Sequence, residues 1–214
     1  MADPADQQER LRNAERLKFF TDAVVAIAMT LLILPLLESV SEAASEGFDT
    51  HQWISEQGGQ LFAFALSFAV IASLWVGHER LFDHVARWST PLLLLNIAWM
   101  FSINLLAVMT AVVGAIDTDR LQLLLYIGAM LVSTLLMTGM TVVVRRDSRL
   151  WARESGPTLG SVTAEVAQVV LYAVAMALSM VRGVGFFAMF VLFLTGPLQA
   201  VLQRAASRLS PRRP

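Results

Sequence analysis

The chain alternates between long apolar runs and short polar connections. Each run has about 20 residues almost free of charge, the length a helix needs to cross about 30 Å of hydrocarbon. We predict six transmembrane helices, which run approximately over Phe19–Leu37, Ile54–Val76, Pro91–Ile116, Leu121–Val144, Val162–Val181 and Gly183–Leu202. The last two are nearly continuous and form either a tight hairpin or one interrupted block. We favour the hairpin, because about 40 residues is twice what one span needs.

The first apolar run is expected to stay in the mature protein. It contains Asp22, and no small-residue cleavage site follows Pro35. Both features argue against a signal peptide. We therefore treat this run as helix 1.

Basic residues are concentrated on one side of the predicted membrane. All but two of the 16 Lys and Arg residues fall in the N-terminal segment, the second and fourth connections and the C-terminal tail, the exceptions being Arg120 and Arg182. The first connection, on the opposite side, holds acids without a base: Glu38, Glu42, Glu46 and Asp49. The positive-inside rule then places both termini in the cytoplasm, which requires an even number of spans.

The composition agrees with a membrane protein. Hydrophobic residues make up 56% of the 214 residues and charged residues 15%, with a mean hydropathy of +0.61. Soluble domains carry about 25% charge, so a water-soluble enzyme and a nucleic-acid-binding module are excluded. The net charge of −1 favours no partner of either sign. The absence of cysteine excludes disulfides, thiolate metal sites and a cysteine nucleophile.

The connections are too short for a second domain. We expect a cytoplasmic N-terminal segment at 1–18, a six-helix transmembrane domain at 19–204 and a cytoplasmic tail at 205–214. The protein is then an all-α, multi-pass protein of the cell membrane. No nucleic-acid partner is expected.

Ionisable residues within spans mark function by default, because they are costly in lipid. Here they all lie near span ends: Asp22, Glu56, His78, Glu79 and Glu165. We find no set of residues for catalysis or cofactor binding. A metal site built on His78 with Asp83 or His84 is disfavoured, because that spacing does not share one helical face. A carbonyl filter of the T-V-G-Y-G type is also absent, so any ion selectivity must come from side chains.

Helix 1 has two unlike faces. At 100° per residue, one stripe contains Ala23, Ile27, Thr30, Leu31 and Leu34, whereas Asp22 lies on the other side. Symmetry-related copies of such a stripe would form a hydrophobic constriction that gates by dewetting. The alternative is that these side chains only pack or face lipid.

Asp22 permits two interpretations. If Asp22 lies in the first turn of a helix, the helix macrodipole stabilises its negative charge, and the Thr21 side chain caps free N–H groups. We favour a second interpretation, in which Asp22 joins a cluster of ion pairs and hydrogen bonds with the nearby Arg16, Lys18, His78 and Arg80. Its role is then to hold helix 1 rather than to conduct ions.

These residues resemble the transmembrane protein 175 potassium channels in their short bacterial form. The family signature R-x-x-x-F-S-D, followed by an A-I-A-x-T-L-L run, is matched by Arg16, Phe20, Thr21 and Asp22 and then by residues 26–32. Thr21 stands where the family has Ser. The second helix ends with Trp75 and His78, similar to the family's Trp and His.

The resemblance implies a passive potassium-preferring channel in which helix 1 of each subunit lines a central pore. It implies constriction at Ile27, Leu31 and Leu34, potassium selectivity from Thr30, and a structural network of Arg16, Phe20, Thr21, Asp22, Trp75 and His78. This chain has one signature, so four identical subunits are needed to close the pore. The expected partners are potassium ions, lipid and the other subunits of a homotetramer. A secondary transporter of a small cation or solute is the alternative.

Overall fold

The computed structural model describes residues 4–115, 119–152, 156–157 and 159–180. This part of the chain is helical, and one 3₁₀ turn at Ser148–Leu150 interrupts the polar connection after α6. The helices are α1 (Pro4–Leu31), α2 (Leu34–Glu46), α3 (Thr50–Glu56), α4 (Gly58–Phe82), α5 (Thr90–Ala115), α6 (Arg120–Arg146) and α7 (Leu159–Ser179).

Five of the predicted spans are present as long apolar helices. Stretches long and apolar enough to cross a membrane occur at Ala14–Glu46, Gly58–Phe82, Thr90–Val113, Arg120–Arg146 and Ser161–Ser179. The sixth predicted span, Gly183–Leu202, and the predicted tail at 205–214 lie outside the described residues. The all-helical membrane fold is therefore confirmed over the part of the chain that the structure covers.

The first span differs from its predicted boundaries at both ends. Helix α1 begins at Pro4, well before Phe19, so most of the predicted N-terminal segment is helical. It ends at Leu31 and α2 begins at Leu34. Proline explains this break, because Pro35 has no N–H to donate to the carbonyl of Leu31 and its ring clashes with that carbonyl.

The acidic first connection is also helical. It forms α2 and α3, which are joined by Gly47 in the left-handed conformation at φ 75°. Asp49 begins α3 with a capping box, in which its side chain accepts from the N–H of Gln52. Hydropathy missed these helices because they are polar, not because helix signals were absent.

Helices α4, α5 and α6 form the centre of the bundle. Their largest buried side chains, including Trp99, Ile103, Tyr126 and Met130, belong to one core. Hydrogen bonds between hydroxyls link the helices: Thr110 donates to Ser67, which contacts Tyr126, and Ser133 donates to Ser102. Lipid provides no hydrophobic drive for helix association, so such bonds and close packing hold the bundle.

Three of the predicted basic segments lie at the same end of the bundle. The connection after α4 pairs with the connection after α6, where Ala86 N–H donates to Leu150 and Ala152 N–H donates to His84. Lys18 of α1 donates to Asp83 in the first of these connections. The positive-inside assignment requires these segments to share one side of the membrane.

Candidate functional site

Helix α1 packs with one face and leaves the other uncovered. Val25, Ala28 and Leu32 are buried against the bundle. The side chains of Ile27, Leu31 and Leu34 are 57%, 46% and 47% exposed. Ala23 and Thr30 are exposed as well, so all five residues of the predicted stripe lie outside the core of one chain.

The stripe is not carried by one unbroken helix. Ala23, Ile27, Thr30 and Leu31 belong to α1, whereas Leu34 is the first residue of α2. The helical wheel treats residues 23–34 as one continuous helix. The structure instead breaks the helix at Leu32 and Ile33. Leu34 nevertheless remains exposed.

The hydroxyl of Thr30 is bonded within its own helix. Its Oγ1 donates to the carbonyl oxygen of Ile27 at 2.8 Å. The acceptor lies three positions back along α1. Donating uses the hydroxyl proton and leaves the lone pairs of Oγ1 available, and lone pairs are what a cation binds.

A cluster of polar groups fixes the part of α1 that bears the signature. We call it the anchor and define it as Thr21, Asp22, Trp75, His78 and Asn96. Within it, Thr21 Oγ1 donates to the carbonyl of Leu17 at 2.9 Å, and Asn96 Nδ2 donates to Thr21 Oγ1 at 2.8 Å. The Oδ1 atom of Asn96 lies 2.8 Å from His78 Nε2.

This order of donors determines the histidine tautomer. Since the amide of Asn96 turns its nitrogen toward Thr21, its oxygen faces His78 and must accept a proton from Nε2. His78 is therefore protonated at Nε2 when neutral, and its Nδ1 carries a lone pair. The ring is buried and stacked between Phe82 and Trp99, with centroid distances of 4.1 Å and 4.6 Å.

Asp22 belongs to the anchor through a hydrogen bond. Trp75 Nε1 donates to Asp22 Oδ1 at 3.0 Å, which ties α1 to α4. The neighbouring ion pairs do not include Asp22: Lys18 Nζ lies 2.9 Å from Glu79 and 3.0 Å from Asp83. Among the described residues the predicted ion pairs of Asp22 are therefore not found, because Lys18 pairs with acids of α4 and of the following connection.

The capping role considered for Thr21 and Asp22 is wrong. Because α1 begins at Pro4, both residues lie in the helix interior, far from its free N–H groups. The hydroxyl of Thr21 instead bonds the helix backbone and accepts from Asn96. The N-terminal start escaped prediction because the first residues of α1 are too polar to be seen as part of a span.

The structure brings together four of the six residues predicted for the signature network. Thr21, Asp22, Trp75 and His78 are in the anchor, whereas Arg16 and Phe20 are exposed in one chain. Sequence reasoning missed Asn96, which completes the anchor. Asn96 is a polar amide within the apolar run that begins at Pro91, but a prediction based on ionisable residues does not include it.

Comparisons with known proteins match this part of the chain. The family model described as "Endosomal/lysosomal potassium channel TMEM175" matches residues 16–106, which include α1 from the signature onward and both the stripe and the anchor. The resemblance to the transmembrane protein 175 family is confirmed. The family and its relatives are ion channels rather than enzymes.

Two relatives illustrate the extent of the similarity. A potassium channel of Streptomyces collinus is 37% identical over 87 residues, which are 41% of this chain and 41% of that protein. The endosomal/lysosomal proton channel TMEM175 of Bos taurus is 37% identical over 87 residues, 38% of this chain and 18% of that protein. The matched part of the chain thus spans less than half of these relatives.

The fold similarity extends further along the chain. The crystal structure of a lysosomal potassium-selective channel TMEM175 homolog from Chamaesiphon minutus superposes with a TM-score of 0.66. It covers 90% of this chain and 98% of the other at 24% identity. The helical fold of this chain is therefore similar to that of the solved homolog.

Proposed function

We propose that the protein is a potassium-preferring cation channel whose pore is lined by the stripe on α1. The observation that carries the proposal is that one face of α1 is fully packed while the face bearing Ile27, Thr30 and Leu31 is exposed. The matched relatives are named as channels, which favours this function over the secondary transporter.

The pore is formed by four copies of the chain. One copy supplies a single stripe, and a single stripe cannot enclose an ion path. Four stripes around a common axis form successive apolar rings at Ile27, Leu31 and Leu34. Such rings gate by excluding water and conduct when they widen enough to pass a partly hydrated ion.

Potassium is preferred because it gives up hydration water more readily than sodium does. An apolar constriction therefore discriminates by the cost of dehydration even without a coordinating group. Thr30 lies on the stripe, and the free lone pairs of its hydroxyl replace part of the lost water. No resident cofactor takes part, and the permeant ion is K⁺.

The channel lies in the cell membrane with both termini in the cytoplasm. The end of the bundle that holds Lys18, Arg80 and Arg149 is the basic end, and basic loops remain in the cytoplasm. The opposite end carries the acidic α2, so cations approach the pore from outside past negative charge.

The direct test is ion flux through liposomes containing the purified protein. A potassium gradient should drive a passive current whose reversal potential shifts toward that of potassium. Saturable exchange without single-channel steps would instead select a secondary transporter. Because the bovine relative is named as a proton channel, the same liposomes should carry a proton dye, and a proton current exceeding the potassium current would overturn the potassium preference.

Ile27 provides the matched test of the constriction. Ile27→Asn should raise conductance, because a polar ring holds water where the apolar ring excludes it. Ile97→Asn is the control, since Ile97 is similarly exposed but lies on α5. Equal conductance in wild type and both variants would show that the stripe does not line the pore.

A further inference from the structure

Two residues of the anchor and the neighbouring Glu79 form a group of potential metal ligands from two different helices. Asp22 of α1 and His78 and Glu79 of α4 each place a ligand atom within 4.8 Å of the others. Spacing along one helix does not reveal this set, because Asp22 belongs to α1 whereas His78 and Glu79 belong to α4. Tetrahedral ligands about 2.1 Å from zinc lie about 3.4 Å apart, so small side-chain movements suffice.

Two of these side chains have buried polar atoms without partners. Nδ1 of His78 and Oε1 of Glu79 make no hydrogen bond to any of the residues that the structure describes. Buried polar groups are normally satisfied, and an exception calls for a ligand or a function. The lone pair on Nδ1 follows from the tautomer that Asn96 imposes.

The surroundings of His78 match those of a metal-binding histidine. Such residues donate the other ring N–H to an oxygen acceptor, which orients the ring and fixes the tautomer. Here Nε2 bonds Asn96, and the ring is held between Phe82 and Trp99. The histidine is thus oriented in advance, with its unused nitrogen as the available ligand.

The local charge also fits a divalent cation. Asp22, Glu79 and Asp83 supply three negative charges, and Lys18 supplies one positive charge. One divalent cation would balance the two negative charges that remain. Trp75 donates to Oδ1 of Asp22, which leaves Oδ2 for coordination as far as the described residues show.

We propose that Asp22, Glu79 and Nδ1 of His78 bind a divalent transition-metal ion that joins α1 to α4, with Zn²⁺ the best fit. One imidazole and two carboxylates suit zinc, with water as the fourth ligand. The nitrogen ligand and the small number of ligands disfavour Mg²⁺ and Ca²⁺, which take six or more oxygens. The site goes beyond the proposed channel activity and does not depend on it.

The test is metal binding by the purified full-length protein in detergent, without any flux measurement. His51→Ala and His84→Ala together leave His78 as the last of the three histidines. In that background, Co²⁺ should give the visible absorption of a four-coordinate site, and Zn²⁺ should displace it. Loss of the spectrum in this background would assign binding to the other histidines and overturn the proposal.

Three variants separate metal binding from structure. Glu79→Gln and Asp22→Asn should each weaken Zn²⁺ binding by at least about tenfold. Lys18→Gln should strengthen it about fivefold, because it removes a nearby positive charge and frees the second oxygen of Glu79. If the Lys18–Glu79 pair were only structural, Glu79→Gln and Lys18→Gln would not change Zn²⁺ affinity in opposite directions.

Glu42→Gln is the matched control, because Glu42 is an exposed carboxylate on α2. It should bind Zn²⁺ as wild type does. Melting temperatures without metal establish that each variant is folded. Equal affinities in all variants, or no saturable binding by the wild type below about 1 mM Zn²⁺, would overturn the proposal.

Discussion

The two faces of α1 are stabilised in opposite ways. At the signature, the inward face is held by hydrogen bonds that Trp75 of α4 donates to Asp22 and that Asn96 of α5 donates to Thr21. The stripe on the outward face has apolar side chains that stay exposed in the part of the chain that the structure describes. A helix that is fixed this firmly on one side while its other side is uncovered presents that surface to something outside the chain.

Thr21 and Thr30 show the difference at the level of one residue type. Both hydroxyls donate to the backbone of α1. Thr21 is fully buried and also accepts from Asn96, whereas Thr30 is exposed. The same side chain therefore serves packing at one position and is free to meet water or ions at the other.

Cysteine scanning should give the largest contrast between the stripe and other exposed surfaces. The chain has no native cysteine, so single cysteines can be introduced directly. A charged methanethiosulfonate reagent should reduce potassium flux at least about tenfold at positions 23, 27, 31 and 34, because a bulky group obstructs the constriction.

The controls for the scan are exposed positions on another helix. Ile97 and Phe101 of α5 are exposed but lie outside the stripe. Modification there should leave flux unchanged. If modification of the stripe also has no effect, the outward face of α1 contacts lipid or protein rather than the ion path.

The next largest effect should come from His78→Ala. The substitution removes a buried ring stacked between Phe82 and Trp99 and leaves the oxygen of Asn96 unpaired. We expect a loss of about 3 kcal/mol in unfolding free energy, measured by thermal unfolding in detergent. His84→Ala should cost less than about 0.5 kcal/mol, since that side chain lies in the connection and is less buried. Similar melting temperatures for the two variants would contradict a structural anchor.

Much of the fold could be predicted because hydrophobic length is a strong signal. The spans at Pro91–Ile116 and Leu121–Val144 agree closely with α5 and α6. The polar helices α2 and α3 and the early start of α1 were missed, because hydropathy does not register a helix that is mostly polar.

The candidate site was predictable in part for a similar reason. The stripe depends on local helical geometry, so its α1 residues could be found from nearby sequence positions alone. The anchor depends on contacts between helices, and the positions of Asn96 and of the neighbouring Glu79 relative to α1 follow only from packing. A helical wheel drawn for one helix cannot show such contacts, and it also overlooked the break that Pro35 imposes before Leu34.

Thr21→Val should have a smaller effect than His78→Ala on stability. Valine keeps the shape of threonine but cannot accept from Asn96, whose buried N–H is then unsatisfied. The expected cost is about 1–3 kcal/mol. Thr30→Val, at the exposed position, should change the unfolding free energy by less than about 0.5 kcal/mol. If thermal unfolding gives equal losses for both, the two faces of α1 do not differ as described.

The smallest effect concerns ion selectivity at Thr30. If its oxygen replaces water around a partly dehydrated ion, Thr30→Val should lower the potassium-to-sodium permeability ratio without changing the melting temperature. The contribution corresponds to one or two hydrogen bonds of about 0.5–1.5 kcal/mol each, so the ratio should change about tenfold at most. Thr30→Ser is the control, since it keeps the hydroxyl and should keep most of the preference. Reversal potentials under potassium and sodium gradients measure the ratio. A Thr30→Val channel with wild-type selectivity would show that the bond to Ile27 is the whole role of the hydroxyl and that dehydration at the apolar rings alone sets the preference.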